Sequence, residues 1–421
     1  MTIFNPQKLL CDMFNDAIDA AQPKYTLPPF IPNPTNGKLM VIGAGKASAE
    51  MARVVEQSYT GQLSGVVVTR YGYSVPCSKI SIIEASHPVP DQSSIDAAKQ
   101  ILNTVKDLTE HDTVLCLISG GGSSLLSLPF EGITPAEKQT ITKLLLKSGA
   151  TISEINCVRR HLSAIKGGKL AAACYPARLI TLAISDVPGD HINDIASGPT
   201  CADQTTCADA LSILTRYRIA VPSHITDILC QNLSETIKVE DPRLKNSEYH
   251  LIATPMHALS TAANRAKQAG ITPYILGDTI EGESKDVAKT LAGLTYHIKR
   301  HNHPFKKPCV LLSGGETTVT IKGNGKGGRN VEFLLALAIA LKHVPDIYAL
   351  AGDTDGVDGM DDIAGAYMTP DTLERAWSQH LNPQQFLDNN DGHHFFELLN
   401  QQVITGPTRT NVNDFRAILI V

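Results

Sequence analysis

Short β-branched runs alternate with helix-length amphipathic stretches along this 421-residue chain, and no other sequence feature limits its fold so strongly. The runs are LMVIG (39–43), GVVVT (65–69), KISIIEA (79–85), TVLCLIS (113–119) and ARLITLAIS (177–185), followed by YHLIA, CVLLS, DIYALAG and RAILIV. Between them, residues 48–57, 93–108, 135–148 and 283–299 carry apolar side chains at helical spacing. Strand, helix, strand repetition with nearly continuous apolar strands predicts an α/β fold whose largely parallel sheet is covered on both faces. Ligands of such sheets sit in the loops that follow the strand C-termini, so those loops are where chemistry is expected.

A chain of this length exceeds what one hydrophobic core usually organises. The polar stretch SETIKVEDPRLKNSEY, residues 234–249, lacks apolar periodicity, which predicts a first domain over 1–240 and a second over 241–421. In the second, ETTVTIKGNGKGG (316–328) reads as a strand entering a glycine-rich loop, implying an antiparallel element and a mixed sheet. With Lys+Arg 37 against Asp+Glu 42 and a net charge of -5, the composition argues against a protein that coats nucleic acid or anionic lipid, while leaving room for a local phosphate site. The nine cysteines form no C-x-x-C pair, a pattern of reduced thiols rather than of a disulfide framework or a zinc site. The opening residues lack the basic and apolar regions of a signal peptide. The longest apolar run, residues 333–341, is far shorter than the roughly 20 residues of a bilayer span. The expectation is a soluble, cytoplasmic protein.

Several strand-end loops suit anions. Gly43-Ala44-Gly45-Lys46-Ala47-Ser48 opens a helix after the first strand. It matches neither the dinucleotide fingerprint, which needs Gly where Ser48 stands, nor a Walker A loop, which needs Gly and Ser/Thr where Met40 and Ala47 stand. What is left is a tight turn with Lys46 beside a helix N-terminus, a favourable place for an anion, although an ordinary turn with a surface lysine would look the same. The run Ser119-Gly120-Gly121-Gly122-Ser123-Ser124 offers backbone amides and hydroxyls to phosphate or carboxylate oxygens, or else forms a flexible corner. It contains no G-x-S-x-G, so a nucleophile elbow is unsupported. Asn156, Arg159, Arg160, His161, Lys166 and Lys169 surround a Gly-Gly break and could clamp an anionic substrate, though a solvated helix face would explain any one of them. In the second half Gly325, Gly327 and Gly328 lead to Arg329 and an apolar helix, again bringing cations to a helix start.

Two loops are acidic. Asp186 and Asp190 follow ARLITLAIS, where they could serve as a general base, hold a metal, or form turn hydrogen bonds. Asp353 and Asp355 lie in GDTDGVDG, which fails as an EF-hand because Val357 and Asp358 stand at the wrong positions. Magnesium held by one or two carboxylates together with substrate phosphates fits better. Anion-friendly and acidic loops together point to phosphoryl transfer.

The series VIGAGKAS, ASHPVPD, LISGGGSSLL, INCVRRHLSAIKGG, SDVPGD with IASGPT, LLSGGETTV, GKGGRNVEF and AGDTDGVDG resembles the glycerate 2-kinase family with a C-terminal MOFRL domain, whose members are often called hydroxypyruvate reductases. The resemblance runs from about Leu9 to Val421. It implies an N-terminal Rossmann-like α/β/α sandwich, a smaller C-terminal α/β domain with a mixed sheet, and an active site in the interdomain cleft. It also implies transfer from ATP to D-glycerate, giving ADP and 2-phosphoglycerate. The active-site lysine and arginine proposed for that family fall on Lys46 and Arg329. Departures occur at His191, where a second acidic residue is usual, and at Arg409, where glycine is usual.

On that basis Lys46 and Arg329 are expected to bind the glycerate carboxylate or the transferring phosphate, and Asp186 or Asp190 to orient or deprotonate the hydroxyl. Gly45, Ser119, Gly120, Gly121, Gly122, Ser123, Arg159, Lys166, Gly325, Gly327 and Gly328 would contact anionic groups. Glu316, Asp353 and Asp355 would hold Mg²⁺. The expected partners are D-glycerate and ATP, with neither nucleic acid nor membrane, in a monomer or homodimer. The rival readings are an NAD(P)H-dependent hydroxypyruvate reductase, disfavoured by Ser48 and by Arg70 where a ribose-binding acid would follow the second strand, and a noncatalytic sugar-acid sensor.

Overall fold

The computed structural model describes residues 5–359 and 362–421. The chain divides into two compact units. The first comprises Thr26–Ser185 and Asp190–Ile252; the second takes in the chain up to Tyr25, Asp186–Gly189, and the chain from Ala253 onward.

The first unit is built on six strands, β1 (Leu39–Ala44), β2 (Leu63–Arg70), β3 (Ile80–Ala85), β4 (Thr113–Ile118), β5 (Arg178–Ile184) and β6 (Ser247–Ala253), in the order β3-β2-β1-β4-β5-β6. The pairs β2–β3, β1–β2, β1–β4 and β4–β5 are parallel, as the apolar runs predict. Every residue of central β4 is buried, whereas edge strand β3 keeps polar and half-exposed positions. This order puts the loops after β1 and β4 side by side at the point where the winding reverses. Four of the surrounding helices start with a side chain and a third-residue partner exchanging hydrogen bonds: Asp91/Ser94, Thr134/Glu137, Thr151/Glu154 and Thr206/Asp209.

The boundary expected at 240/241 precedes a strand that belongs to the first sheet. The polar opening of SEYHLIA disguises it, because only its last two residues are buried.

The second unit contains β7 (Thr272–Gly277), β8 (Gly282–Glu283), β9 (Cys309–Ser313), β10 (Thr317–Thr318), β11 (Ile347–Asp353), β12 (Gly365–Met368), β13 (Gln402–Val403) and β14 (Asp414–Ile420). Its main sheet runs β13-β12-β11-β14-β9-β7; β7 and β9 are parallel and the other neighbours antiparallel, so the sheet is mixed. The antiparallel element does not come from the segment that suggested it. Within 316–328 only Thr317 and Thr318 form a strand, and they pair in parallel with β8 outside the main sheet.

The apolar run 333–341 lies in the helix Arg329–Leu341, which is buried on almost all sides against residues such as Leu311, Phe395, Phe396 and Ile418. The helix Pro6–Ala20 also joins this unit, placing Phe14 5.5 Å from Phe415 and Asp16 in an ion pair with Arg265. Among the described residues, no helix is long and apolar enough to cross a membrane. All nine cysteines are free.

Candidate active site

In the first unit the turn after β1 is closed by its own neighbours. Gly45 N–H donates to Val68 O (3.1 Å), Lys46 N–H to Gly120 O (2.8 Å), Ala47 N–H to Ser119 Oγ (2.9 Å) and Ser48 N–H to Gly45 O (3.2 Å). The Ser48 hydroxyl lies 2.8 Å from Gly45 O and 2.7 Å from Val68 O. Gly45 has φ of 144°, and a methyl group there would lie 2.1 Å from Ser119 Oγ, so only glycine fits. Four successive amides are therefore satisfied within the protein. What this turn offers an anion is the side chain of Lys46.

Lys46 adjoins His87 across Gly121, where a methyl group would lie 2.8 Å from His87 Cδ2 and 3.5 Å from Lys46 Cγ. Burial, then the charges of Lys46 and Arg70, push the His87 imidazole down to about 4, so it is neutral at neutral pH.

In the loop after β4, Ser119 is occupied by Ala47, and Gly121, with φ of 79°, turns the chain into the short helix Gly122–Leu125. Gly122 backs onto Ala196, whose Cβ would lie 2.9 Å from an added methyl group. The Ser123 hydroxyl accepts from Arg159 Nη2 and from Lys166 Nζ (3.3 Å) and lies 2.8 Å from Ser197 Oγ. Ser197 donates to Asn156 Oδ1 (3.2 Å), and Asn156 Nδ2 donates to Asp194 (2.9 Å). Lys166 Nζ also donates to Ala196 O (3.0 Å).

Arg160 is the structural member of this group, paired with Asp203 at 3.0 Å and Asp194 at 3.6 Å. Among the described residues no carboxylate pairs with Arg159 or Lys166. Burial, then Arg160, lowers Arg159 to about 10; burial, then Arg159, Lys138 and Arg160, pushes Lys166 well below the usual lysine range. Desolvated cations facing one another without a counter-charge suit a polyanion.

The second unit is organised around Arg329, the first residue of its helix. Its guanidinium donates to Asp414 Oδ1 (2.7 Å), Glu316 Oε1 (2.6 Å), Asp353 Oδ2 (2.8 Å) and Asn413 Oδ1 (2.9 Å). Burial disfavours the charge, but Asp414, Asp353 and Glu316 outweigh it and hold the pKa well above the ordinary arginine value. Asp414 is fully buried, and its other oxygen lies 2.5 Å from Arg416.

Asp186 belongs to this unit, where Asn411 Nδ2 donates to its carboxylate (3.0 Å) and Asn413 Nδ2 to its backbone carbonyl (2.8 Å). Asn413 thus bonds both Asp186 and Arg329. Asp190 belongs to the first unit, in the left-handed region at φ of 55°. His191 O accepts from the amides of Asp194 and Ile195, which makes the position a turn. Arg409 also takes a positive φ, 60°, the conformation for which glycine is suited.

The glycines before Arg329 are explained by close backbone packing. Added methyl groups would lie 2.3 Å from Asp391 Cβ at Gly325, 2.7 Å from Asn390 O at Gly327 and 2.3 Å from Asp358 Cγ at Gly328. The Asp358 carboxylate, moreover, takes the Asn330 and Val331 amides at 3.0 Å each. The amides at this helix start that were expected to face a ligand therefore serve a protein carboxylate.

The acidic loop is tied together in a similar way. Asp353 Oδ1 accepts from Asp355 N–H (3.1 Å) while Oδ2 holds Arg329, and Asp355 Oδ1 accepts from Val357 N–H (2.9 Å). Glu316 lies on Arg329 and is half-exposed. Among the described residues, His161, Cys207 and Glu235 bring three possible ligand atoms within 4.8 Å of one another. An ion arriving on nucleotide phosphates needs only one or two carboxylates.

Sequence reasoning missed His87, Lys138, Ser197, Asn411, Asn413 and Asp414 as members of these clusters. His87 and the asparagines lie in loops already prominent for other residues, but Lys138 carries no local signal.

The DUF4147 family, a domain of unknown function, matches residues 9–230, and the MOFRL family matches 309–414. The chain is 48% identical to a protein of Agrobacterium vitis that carries a hydroxypyruvate reductase name, over 98% of this chain and 94% of that one. It is 39% identical to the D-glycerate 2-kinase of Thermotoga maritima over 100% of both. The crystal structure of glycerate kinase from that organism superposes with a TM-score of 0.88, covering 99% of each chain at 39% identity. The chain belongs to the DUF4147 family, here joined to a MOFRL domain as the resemblance to glycerate 2-kinases implies.

Proposed function

We propose that this protein is a glycerate 2-kinase, transferring the terminal phosphoryl group of ATP to the C2 hydroxyl of D-glycerate. The observation that carries the reading is the cluster of Arg159 and Lys166 on Ser123, desolvated and without a carboxylate partner. It agrees with the full-length similarity to a D-glycerate 2-kinase. The C2 oxygen forms a bond to the γ-phosphorus as the bond to the β,γ-bridging oxygen breaks; ADP leaves, and the hydroxyl proton passes to a carboxylate. Catalysis then consists mainly of positioning and charge neutralisation.

In this reading Arg159, Lys166 and Ser123, with the adjoining glycine loop, hold phosphate oxygens. Lys46 and Arg329 bind the glycerate carboxylate or the transferring phosphate. Asp186, whose carboxylate is oriented by Asn411, and Asp190 are the candidate proton acceptors. Mg²⁺, bound through the nucleotide, would be met by Asp353 and Asp355, with Glu316 assisting, and would neutralise phosphate charge. The same reading expects small-molecule partners, a cytoplasmic setting, no nucleic acid, and a monomer or homodimer.

One observation favours a nicotinamide-dependent hydroxypyruvate reductase: the strand order β3-β2-β1-β4-β5-β6 is that of dinucleotide-binding sheets. A fold does not specify a reaction, however. The amides of residues 45–48 that would meet a pyrophosphate are bonded internally, and Arg70 ends β2. Incubation with ATP, Mg²⁺ and D-glycerate is expected to yield ADP and, by phosphorus NMR, the 2-phosphate. NADH oxidation with hydroxypyruvate and no ADP would reverse the assignment.

A further inference from the structure

In the first unit, three side chains that the kinase reading leaves unused bring an imidazole nitrogen, a thiol sulfur and a carboxylate oxygen within 4.8 Å of one another. His161 is the last residue of the helix Ile152–His161, Cys207 the first of the helix Cys207–Arg216, and Glu235 follows the helix Ser223–Cys230. His161 and Cys207 are fully buried, whereas the Glu235 side chain is 29% exposed, so the cluster is open to water on one side.

The surrounding hydrogen bonds determine which atoms meet. His161 Nδ1 lies 2.9 Å from Cys157 O, an atom that can only accept, so Nδ1 carries a proton and Nε2 is the nitrogen left to bind. Nε2 lies 3.1 Å from Glu235 Oε1. Glu235 Oε2 accepts the Cys207 N–H (3.0 Å), which holds the carboxylate against the cysteine, while Cys207 Sγ has only a weak contact with Ser234 Oγ at 3.8 Å. With zinc bonds of about 2.0 to 2.3 Å in a tetrahedron, neighbouring ligand atoms stand roughly 3.3 to 3.6 Å apart, so small side-chain movements suffice. Glu235 Oε1 also accepts from the Thr236 N–H (2.9 Å) and from Lys238 Nζ (2.7 Å). Lys238 retains Thr236 Oγ1 (2.7 Å) and Thr205 O when a cation replaces it on Oε1.

We propose that His161 Nε2, Cys207 Sγ and Glu235 Oε1 form a site for a thiophilic divalent cation of the zinc class, with water on the exposed side as a further ligand. Magnesium takes oxygen ligands, so a thiolate and an imidazole separate this site from the Mg²⁺ that travels with the nucleotide. On binding, the Cys207 thiol proton passes to solvent, as does the Nε2 proton where His161 is an imidazolium. The thiolate and carboxylate charges then balance the two of the cation. Such a cation joins three separate segments, and Ile237 N–H, just beyond Glu235, donates to Gly167 O (2.9 Å) next to Lys166. Neither the site nor its ligand depends on the kinase reading.

The test is titration of the full chain with Co²⁺, whose bond to a thiolate gives a charge-transfer band that oxygen and imidazole ligands do not. A single saturable equivalent with that band is expected, bleached by excess Zn²⁺ and unaffected by excess Mg²⁺. Cys207→Ser should abolish the band, and Glu235→Gln should weaken Co²⁺ binding by about tenfold or more. Cys230→Ser, which removes the exposed cysteine, should change neither. Circular dichroism shows which variants fold. Where Cys207→Ser does not, protection of Cys207 from alkylation by Zn²⁺ in the wild type, read by peptide mass spectrometry, replaces it. No saturable band in the wild type, bleaching by Mg²⁺, a band that survives in Cys207→Ser or disappears in Cys230→Ser, a smaller loss in folded Glu235→Gln, or no protection of Cys207 overturns the proposal. Because no turnover is read, the result stands apart from the glycerate-dependent ADP assay.

Discussion

Asp358 accepts the backbone amides of Asn330 and Val331 on its two carboxylate oxygens, at 3.0 Å each, and so closes the amino end of the helix that begins at Arg329. The helix has Gly328 before it and no local side-chain cap, because a methyl group at Gly328 would collide with the same carboxylate. A distant aspartate thereby fixes the residue from which the guanidinium projects.

Replacing Asp358 by Asn should test that relationship. An amide has one acceptor oxygen, so one buried N–H loses its partner, at a cost of about 2 kcal/mol in urea unfolding. If Asp358 positions Arg329, turnover should fall more than glycerate affinity changes. Wild-type stability together with unchanged kcat would contradict this role.

Arg329→Lys should fail as a conservative exchange. The guanidinium donates to four residues from one plane, and a lysine ammonium cannot reproduce that fork. Two of the carboxylates, Asp353 and Asp414, are buried and would keep an imperfect partner. Glycerate-dependent ADP formation is expected to fall by about 100-fold or more in kcat/KM, a loss of roughly 3 kcal/mol. Retention within about threefold would remove Arg329 from the reaction.

The turn after β1 gives a backbone prediction with an internal control. Gly45→Ala brings a methyl group to 2.1 Å from Ser119 Oγ at a φ of 144°, whereas Gly72→Ala at 81° meets nothing within 4 Å. The first should cost more than about 3 kcal/mol and displace Lys46, the second about 1 kcal/mol of backbone strain alone. Thermal unfolding of the two variants side by side compares the close approach with the torsional cost, and equal losses would show that Ser119 yields.

The α/β alternation was legible because central strands buried on both faces must be apolar throughout, as in TVLCLI of β4. The first sheet's last strand was less so, since half of SEYHLIA is polar. Lys46 and Arg329 stood out through family resemblance more than through their loops, whose amides the protein uses internally. Glycine runs announced close approach without naming the approaching atom: Ser119 for Gly45, Asp358 for Gly328. Lys138 was invisible because a lysine in a helix reads as solvated, whereas its side chain is buried. Asn413 and Asp414 acquire meaning only when β14 pairs with β9 and β11.

Arg409 offers a stabilising substitution. It occupies φ of 60°, where a side chain crowds the backbone and glycine does not. Arg409→Gly should raise stability by about 0.5 to 1 kcal/mol, less whatever flexibility glycine adds to the unfolded chain. A loss of stability would mean that contacts of the arginine side chain exceed the relief of strain.

His87 should titrate far from an ordinary histidine. Its pKa is lowered to about 4 by burial first, then by Lys46 and Arg70, while the unfolded chain titrates near 6.5. Between those values the unfolded state binds more protons, so His87 makes stability rise with pH across that window and fall on acidification. Above the window its contribution to stability is constant. Two-dimensional NMR of the imidazole should give a midpoint near 4 in the wild type. Lys46→Met removes one of the two repelling charges and should move the midpoint upward without reaching 6.5, since burial is the largest cause and is unchanged. A wild-type midpoint above 6 would overturn the lowering itself, and no movement in the variant would show that Lys46 does not act on this ring.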